Sequence, residues 1–302
     1  MKTKALRLLL ILLMCLCVRS IATGRELSDV LTSLIKKIPP RPHSAMTGSE
    51  FADRISVMDK SEREQAIEAQ LASGNFPDFL RMLKPVRLSH RFEDGGTTTA
   101  TIFAMPDYLA IGSDTDFLLI PMALHTGVEI AAKFGFILPT KKMVDAIFTQ
   151  SDVHLTPEPM QAGPLMRSTA YYVKHNQTIR EQRLIQGCPL NALISGHKKD
   201  VVLTNRLARN PEKCAIYGWH RPTGIPIQPL STVHGKNYAD YSHGVRLVSD
   251  TVLIGEEPRS IYDVLEDSRL ARILSDEGVI SEIRRMLAGS HPPPATHAML
   301  GQ

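Results

Sequence analysis

The stretch VRLSHRFEDGGTTTATIFA, residues 86–104, decides the fold class. Val86, Leu88, His90 and Phe92 alternate with their neighbours, the period of a half-buried strand. Asp94-Gly95-Gly96 is a turn signal, and Thr97–Ala104, rich in Thr with one Ile, reads as the returning strand. Tyr108–Ile111 and Phe117–Met122 follow, separated by the polar turn Ser113–Asp116. Four short strands in succession predict an antiparallel meander.

The period changes to that of helices on both sides. Upstream, Leu27, Val30, Leu31, Leu34 and Ile35 line one face of Glu26–Lys37, which Pro39-Pro40 stops. Ser61-x-x-Glu64 reads as a capping box opening a helix to Gly74, and Pro77–Leu83 as a further turn or two. Downstream, Leu124, Val128, Ala131 and Ala132 share a helix face that Gly135 ends. Thr140 caps the next helix, with Met143, Ile147 and Phe148 inward, and a third runs over Ser168–Gln186 to Gly187 and Pro189. Strand-like runs at Asp200–Thr204, Cys214–Trp219 and Val245–Ile254 precede short helices at Ser260–Leu265, Arg269–Leu274 and Ile280–Leu287. The expectation is an α+β fold: an N-terminal helical lead-in, the antiparallel strand meander, then a mixed helix/strand region, together one main domain over residues 23–288. A seam is conceivable in the Pro-rich 156–163 stretch, and residues 289–302 read as a flexible tail.

The charge count narrows the function. The chain carries 35 Lys+Arg and 31 Asp+Glu, a formal net charge of +4. Lys2, Lys4, Arg7 and Arg19 supply the whole excess. They flank the apolar run Leu8–Val18, and Ser20-Ile21-Ala22 places small residues at the −3 and −1 positions of a cut after Ala22. Residues 1–22 therefore read as a secretory signal peptide, and the protein as secreted, extracellular or periplasmic. The run is about half of the ~20 residues a spanning helix needs, so no membrane anchor is expected after cleavage. The mature chain is electrically balanced, which argues against a nucleic-acid partner. Cys188 and Cys214 remain, in a compartment that permits a bridge between them.

Polar chemistry concentrates between Gly196 and Arg246. Four of the 11 histidines fall there: His197, His220, His234 and His243. His197-Lys198-Lys199-Asp200 precedes an apolar run, Trp219-His220 ends a strand-like run, and Tyr238, Asp240, Ser242 and Arg246 lead into another. Strand ends and their loops are where sites are commonly built. Three chemistries could use this set. In the first, Asp240 orients His234 or His243, with His220 as a further catalytic candidate, for acid–base hydrolysis. His197, Lys198, Lys199, Asp200 and Arg246 then hold the substrate, and Trp219 or Tyr238 forms a pocket wall. This needs no cofactor. In the second, His220, His234, Asp240 and His243 ligate zinc, although their spacing matches no recognised motif. In the third, Ser242 or Cys188 is a nucleophile; Ser242 lacks the G-x-S-x-G elbow, and Cys188 is more simply a structural thiol.

His234-Gly235 followed by Ser242-His243-Gly244-Val245-Arg246-Leu247 resembles the active-site signature of L,D-transpeptidases, an HG element and then S-H-G-C-x-R. The resemblance covers about a dozen residues of 302. No residue fills the place of the family's cysteine nucleophile, and the gap between the elements is shorter, so no catalytic role is carried across.

The reading that follows is a secreted hydrolase acting on an extracellular or cell-envelope substrate, glycan or peptidoglycan-like. The alternative is a non-catalytic secreted ligand- or glycan-binding protein. A third option makes the window a polar network that ties loops together. Two quieter features are the sequon Asn176-Gln177-Thr178, on a predicted helix, and Lys141-Lys142, which opens a helix against the macrodipole and reads as a solvated face.

Overall fold

The computed structural model describes residues 31–280. The expected signal segment, the first turn of the expected lead-in helix, the helix expected at 280–287 and the expected tail lie outside these residues, apart from Ile280. The chain divides into a unit ending at Ile38 and a larger one beginning at Pro39; the 156–163 stretch lies inside the larger one. In the first unit, residues 31–35 are helical. The larger unit is a mixed α+β domain.

Its central hairpin is the quoted stretch. Strands β1 (Lys84–Arg91) and β2 (Thr97–Ala104) pair antiparallel along their whole length, from Lys84 opposite Ala104 to Arg91 opposite Thr97. Val86, Leu88, Ala100 and Ile102 are buried, as alternation requires. The next two strands, β3 (Ala110–Gly112) and β4 (Phe117–Leu119), also form an antiparallel hairpin. They make a separate two-stranded sheet, so the four strands are two hairpins rather than one continuous ladder. The free side of β2 is taken by strands from the far end of the chain, β12 (Val248–Ser249) and β13 (Thr251–Ile254). β12 also pairs with β5 (Phe136–Ile137), and β13 with β14 (Glu257–Ser260).

Helices begin where capping chemistry is strongest. α1 (Gly48–Ser56) opens at Thr47, whose hydroxyl accepts from the Glu50 amide while Glu50 reaches back to the Thr47 amide. This Thr-x-x-Glu box is visible in the sequence, although the helix was not expected there. α2 (Lys60–Ala72) starts at Asp59, whose carboxylate accepts from Ser61 and Glu62 amides at 2.7 and 2.9 Å, with Glu62 completing the box. The expected Ser61/Glu64 box is displaced by two residues because a carboxylate is the stronger acceptor at the positive helix end. Asp78–Arg81 is a 3-10 turn. α3 (Leu124–Phe134) ends at Gly135, which takes a left-handed φ of 73°. α4 (Lys141–Thr149) is capped by Thr140 and buries Met143, Val144, Ile147 and Phe148. α5 (Thr169–Ile185) is capped by Ser168. α6 (Ile261–Glu266) and α7 (Ala271–Leu274) follow the strands. α4 and α7 pack on the β1–β2 hairpin, and the Thr140 hydroxyl ties them together through the Leu274 carbonyl.

A second sheet carries the polar window. Its order is β10 (Pro226–Ser231), β9 (Ile216–His220), β8 (Lys199–Val201), β11 (His243–Gly244), with β8 and β11 parallel and the other pairs antiparallel. β10 was not expected because two prolines interrupt it. It pairs only with β9 and contains a register shift, the edge position where proline is tolerated. A short parallel pair, β6 (Val153–His154) with β7 (Ile194–Ser195), lies beside this sheet in sequence.

Candidate functional site

The window divides into three networks, and strand geometry is the reason. Lys199 lies opposite His243, and Asp200 opposite Gly244, in the parallel β8–β11 pair. Successive side chains on a strand point to opposite faces. Lys199 and His243 therefore share one face, while Lys198 and Asp200 share the other.

The first network is wholly interior. Asp107, between β2 and β3, accepts from Arg183 of α5 at 2.6 Å and from His197 Nε2 at 3.0 Å, and all three side chains are buried. Burial alone would raise the Asp107 carboxyl, but His197 and the Arg183 and Arg246 guanidinium groups outweigh it and hold it well below the usual range. Burial pushes the His197 imidazole down against the pull of Asp107. Beside them, the Tyr108 hydroxyl donates to Asp200 at 2.9 Å. Burial lifts Asp200 to about 6, against the opposing effects of Arg246 and the Tyr108 bond.

Arg246 is fully buried and donates to the carbonyls of Met105 at 2.8 Å and Ile194 at 2.5 Å, its guanidinium 4.4 Å from the centre of the Tyr108 ring. Lys198 donates to the Tyr241 carbonyl at 2.5 Å. Burial lowers it to about 7, against the fields of Asp240 and Asp107. His197, Lys198, Asp200 and Arg246, expected to contact substrate, instead join interior segments. The same holds for part of the transpeptidase-like signature. A Cβ on Gly244 would lie 2.6 Å from the Tyr108 ring and 2.9 Å from Lys198 Cβ, so close packing requires that glycine.

The second network lies around Asp145 of α4. Its carboxylate accepts from Tyr217 at 2.7 Å, Lys141 at 2.8 Å and His220 Nε2 at 3.1 Å. Burial opposes ionisation, but the His220, Lys141 and Tyr217 bonds together lower the Asp145 carboxyl. The His220 ring stacks on Phe148 at 4.6 Å. His220 thus belongs with Asp145 rather than with Asp240. Lys141, expected to be merely solvated, also pairs with Asp276.

The third network keeps the expected partners. Asp240 Oδ1 accepts from the Ser242 hydroxyl at 2.6 Å and its amide at 2.8 Å, and Oδ2 accepts from the Tyr238 hydroxyl at 3.0 Å. His243 Nε2 is 3.8 Å from Asp240 Oδ2, outside hydrogen-bond range. His243 is buried, and neither ring nitrogen has a hydrogen-bond partner among the described residues. Burial holds it near 4, so it is neutral at pH 7. Burial raises the Asp240 carboxyl, but His243 and the Ser242 bonds bring it below its ordinary value.

In front of this pair, His234 stacks on Tyr238 with ring centroids 4.0 Å apart and planes 4° from parallel. Both are half-buried. The His234 and His243 centroids are 5.8 Å apart. Lys199 lies 4.9 Å from the centre of the Trp219 ring, and its charge acts on His234, Asp240 and His243. Trp219 itself is held at φ 54°, unusual for a non-glycine residue, and its indole N–H is shielded without a partner among the described residues.

Of the sequence-predicted residues, the fold thus gathers His234, Tyr238, Asp240, His243, Lys199 and Trp219, and sends His197, Asp200, Arg246 and His220 elsewhere; Lys198 bonds into the interior, although its charge still acts on His243. Among the described residues, no group of three His, Cys, Asp or Glu side chains is arranged to hold a metal. Ser242 is buried against Asp240, and Cys188 and Cys214 are free thiols rather than a bridge. Asn176 is buried, donating to Phe117 O and accepting from the Leu119 amide, so its sequon is sequestered. Sequence reasoning missed Asp107, Asp145 and Arg183. Arg183 falls on the α5 stripe Tyr172, His175, Asn176, Ile179, Arg183, whose helical spacing is visible although it is half polar.

Compared with protein-family models, curated proteins and solved structures, the chain matches none.

Proposed function

We propose that the chain is an exported hydrolase of a cell-envelope substrate, glycan or peptidoglycan-like, whose proton-transfer group is His234. One observation carries this reading: a half-buried imidazole stacked face to face on Tyr238, in front of the buried Asp240 and an unpartnered His243. Leaving both nitrogens of a buried imidazole unbonded is costly, and such groups call for an explanation in function. Burial lowers the His234 imidazole, so it is neutral at pH 7 and competent to accept a proton from an attacking water. The proton then passes to the leaving group as the bond breaks. Tyr238, raised to about 12 by burial and Asp240, stays protonated and holds the stack in place. Lys199 supplies positive charge toward the group that becomes negative.

A second reading has its own support. Asp240 and His243 are each only 1% exposed, so the surface offers His234, Tyr238 and Lys199 as ligand contacts without chemistry. This is the secreted binding protein. Purified mature protein is to be incubated with envelope glycan and peptide fragments, alongside His234→Ala and Asp240→Asn. The hydrolase reading expects turnover that falls by about 10²-fold or more in His234→Ala. Saturable binding without turnover, lost in His234→Ala, supports the binder. Turnover unchanged in both variants excludes this residue assignment.

A further inference from the structure

A cleft of about 380 Å³ lies where α2 meets the start of α5, lined by Lys60, Arg63, Pro164, Arg167 and Ser168. Three of its five residues are cations and none is an acid. In a chain whose charge outside the leader is balanced, such an excess needs a local reason. Among the described residues, none of the three cations forms an ion pair. Arg63 makes one long contact, Nη1 to the Thr169 hydroxyl at 3.5 Å, with its guanidinium 5.0 Å from the centre of the Tyr172 ring. Arg167 Nε is shielded from solvent and has no hydrogen-bond partner among the described residues. Of the carboxylates beside them in sequence, Asp59 and Glu62 are engaged in the capping box of α2, and Glu64 accepts from the Ala123 amide at 2.7 Å.

Like charges gathered without counter-charge destabilise a fold, and a shielded guanidinium N–H leaves a strong donor unused. Burial and the charges of Arg167 and Arg63 depress the Lys60 ammonium, and the field of Glu64 offsets only part of this. The cleft also sits at the N-terminus of α5, where the helix dipole adds positive potential. It adjoins the candidate site directly: the Arg167 guanidinium lies 5.2 Å from the centre of the Tyr238 ring.

We infer that Lys60, Arg63 and Arg167 form a binding subsite for an oxyanion group, and that this group belongs to the ligand engaged over His234 and Tyr238. Arginine forks suit both carboxylate and phosphoryl oxygens, and three cations match a dianion better than a single carboxylate. A phosphoryl group is therefore the preferred occupant. The link to the ligand rests on the proposed function; the anion site does not, because its titration requires no turnover.

Titration calorimetry of the full mature chain with inorganic phosphate, and separately with acetate, at ionic strength matched with chloride, tests the subsite. Saturable phosphate binding is expected, weakened about tenfold in Arg167→Gln, the loss of a charge-assisted contact. Lys60→Gln, at an exposed position, is expected to weaken it about threefold. Phosphate binding tighter than acetate identifies a phosphoryl-type ligand, acetate binding tighter than phosphate identifies a carboxylate source, and equal binding identifies an oxyanion site that does not distinguish them; each supports the subsite. Heats that match the chloride control, or affinities unchanged in both variants, overturn it. Should hydrolysis be absent while phosphate binding remains, the subsite stands and the hydrolase reading alone falls.

Discussion

The interior around Asp107 and the patch around His234 use the same residue types to opposite ends. Asp107, His197, Arg183, Lys198 and Arg246 are all buried, and each makes at least one short bond to another interior group. His234, Tyr238 and Lys199 are half-buried, and the His243 imidazole behind them has no hydrogen bond among the described residues. The interior is better satisfied but not wholly so, since His197 Nδ1 and Arg246 Nε are unpaired among the described residues. A largely satisfied buried network specifies structure, whereas an imidazole with neither nitrogen bonded beside solvent is a place for a ligand or a proton. The difference is therefore one of degree in hydrogen-bond partners, not of composition.

Substitutions in the two regions should break in different ways, and the largest effect is expected at Asp107. Asp107→Ala leaves Arg183 and His197 buried without their acceptor and should cost about 3–5 kcal/mol in denaturant unfolding. A loss below about 1 kcal/mol would mean that the interior network does not hold the fold together.

Lys198 comes next. Its folded value near 7 lies below the ordinary 10.5, so between these values the unfolded chain binds more protons than the folded one. Stability should therefore rise with pH across about 7 to 10.5, by up to a few kcal/mol. Lys198→Met should remove that rise, and an unchanged pH–stability curve in the variant would contradict the assignment. Gly244→Ala drives a methyl group against Tyr108 and Lys198 Cβ and should cost about 1–3 kcal/mol. His234→Ala belongs to the other region and should change stability by only about 0.5 kcal/mol. A large loss there would make the stack structural and erase the contrast.

The sequence carries more of the fold than of the site. The β1–β2 hairpin, the Gly135 and Thr140 helix boundaries and the α5 limits follow from local signals: alternation, a left-handed glycine, a side-chain cap. What the sequence does not carry is which distant segment pairs with β2, because β12 and β13 are too short to have a distinctive period. The site was half legible for a similar reason. Tyr238, Asp240 and His243 are near neighbours in the chain, and the fold keeps them together. Lys198, Lys199 and Asp200 are closer still, yet strand alternation divides them. Asp107 and Asp145 each stand far along the chain from the histidine they bond, so no spacing argument reaches them.

The most direct test of the central claim is the hydrolysis rate on envelope glycan fragments, measured for His234→Ala and His220→Ala and corrected for folded fraction. Both residues are histidines of the same sequence window, but only one faces the unsatisfied cluster. The rate should fall about 10²-fold or more in His234→Ala and stay within about tenfold of the unsubstituted protein in His220→Ala. Equal losses in the two variants, or a greater loss in His220→Ala, would contradict that claim.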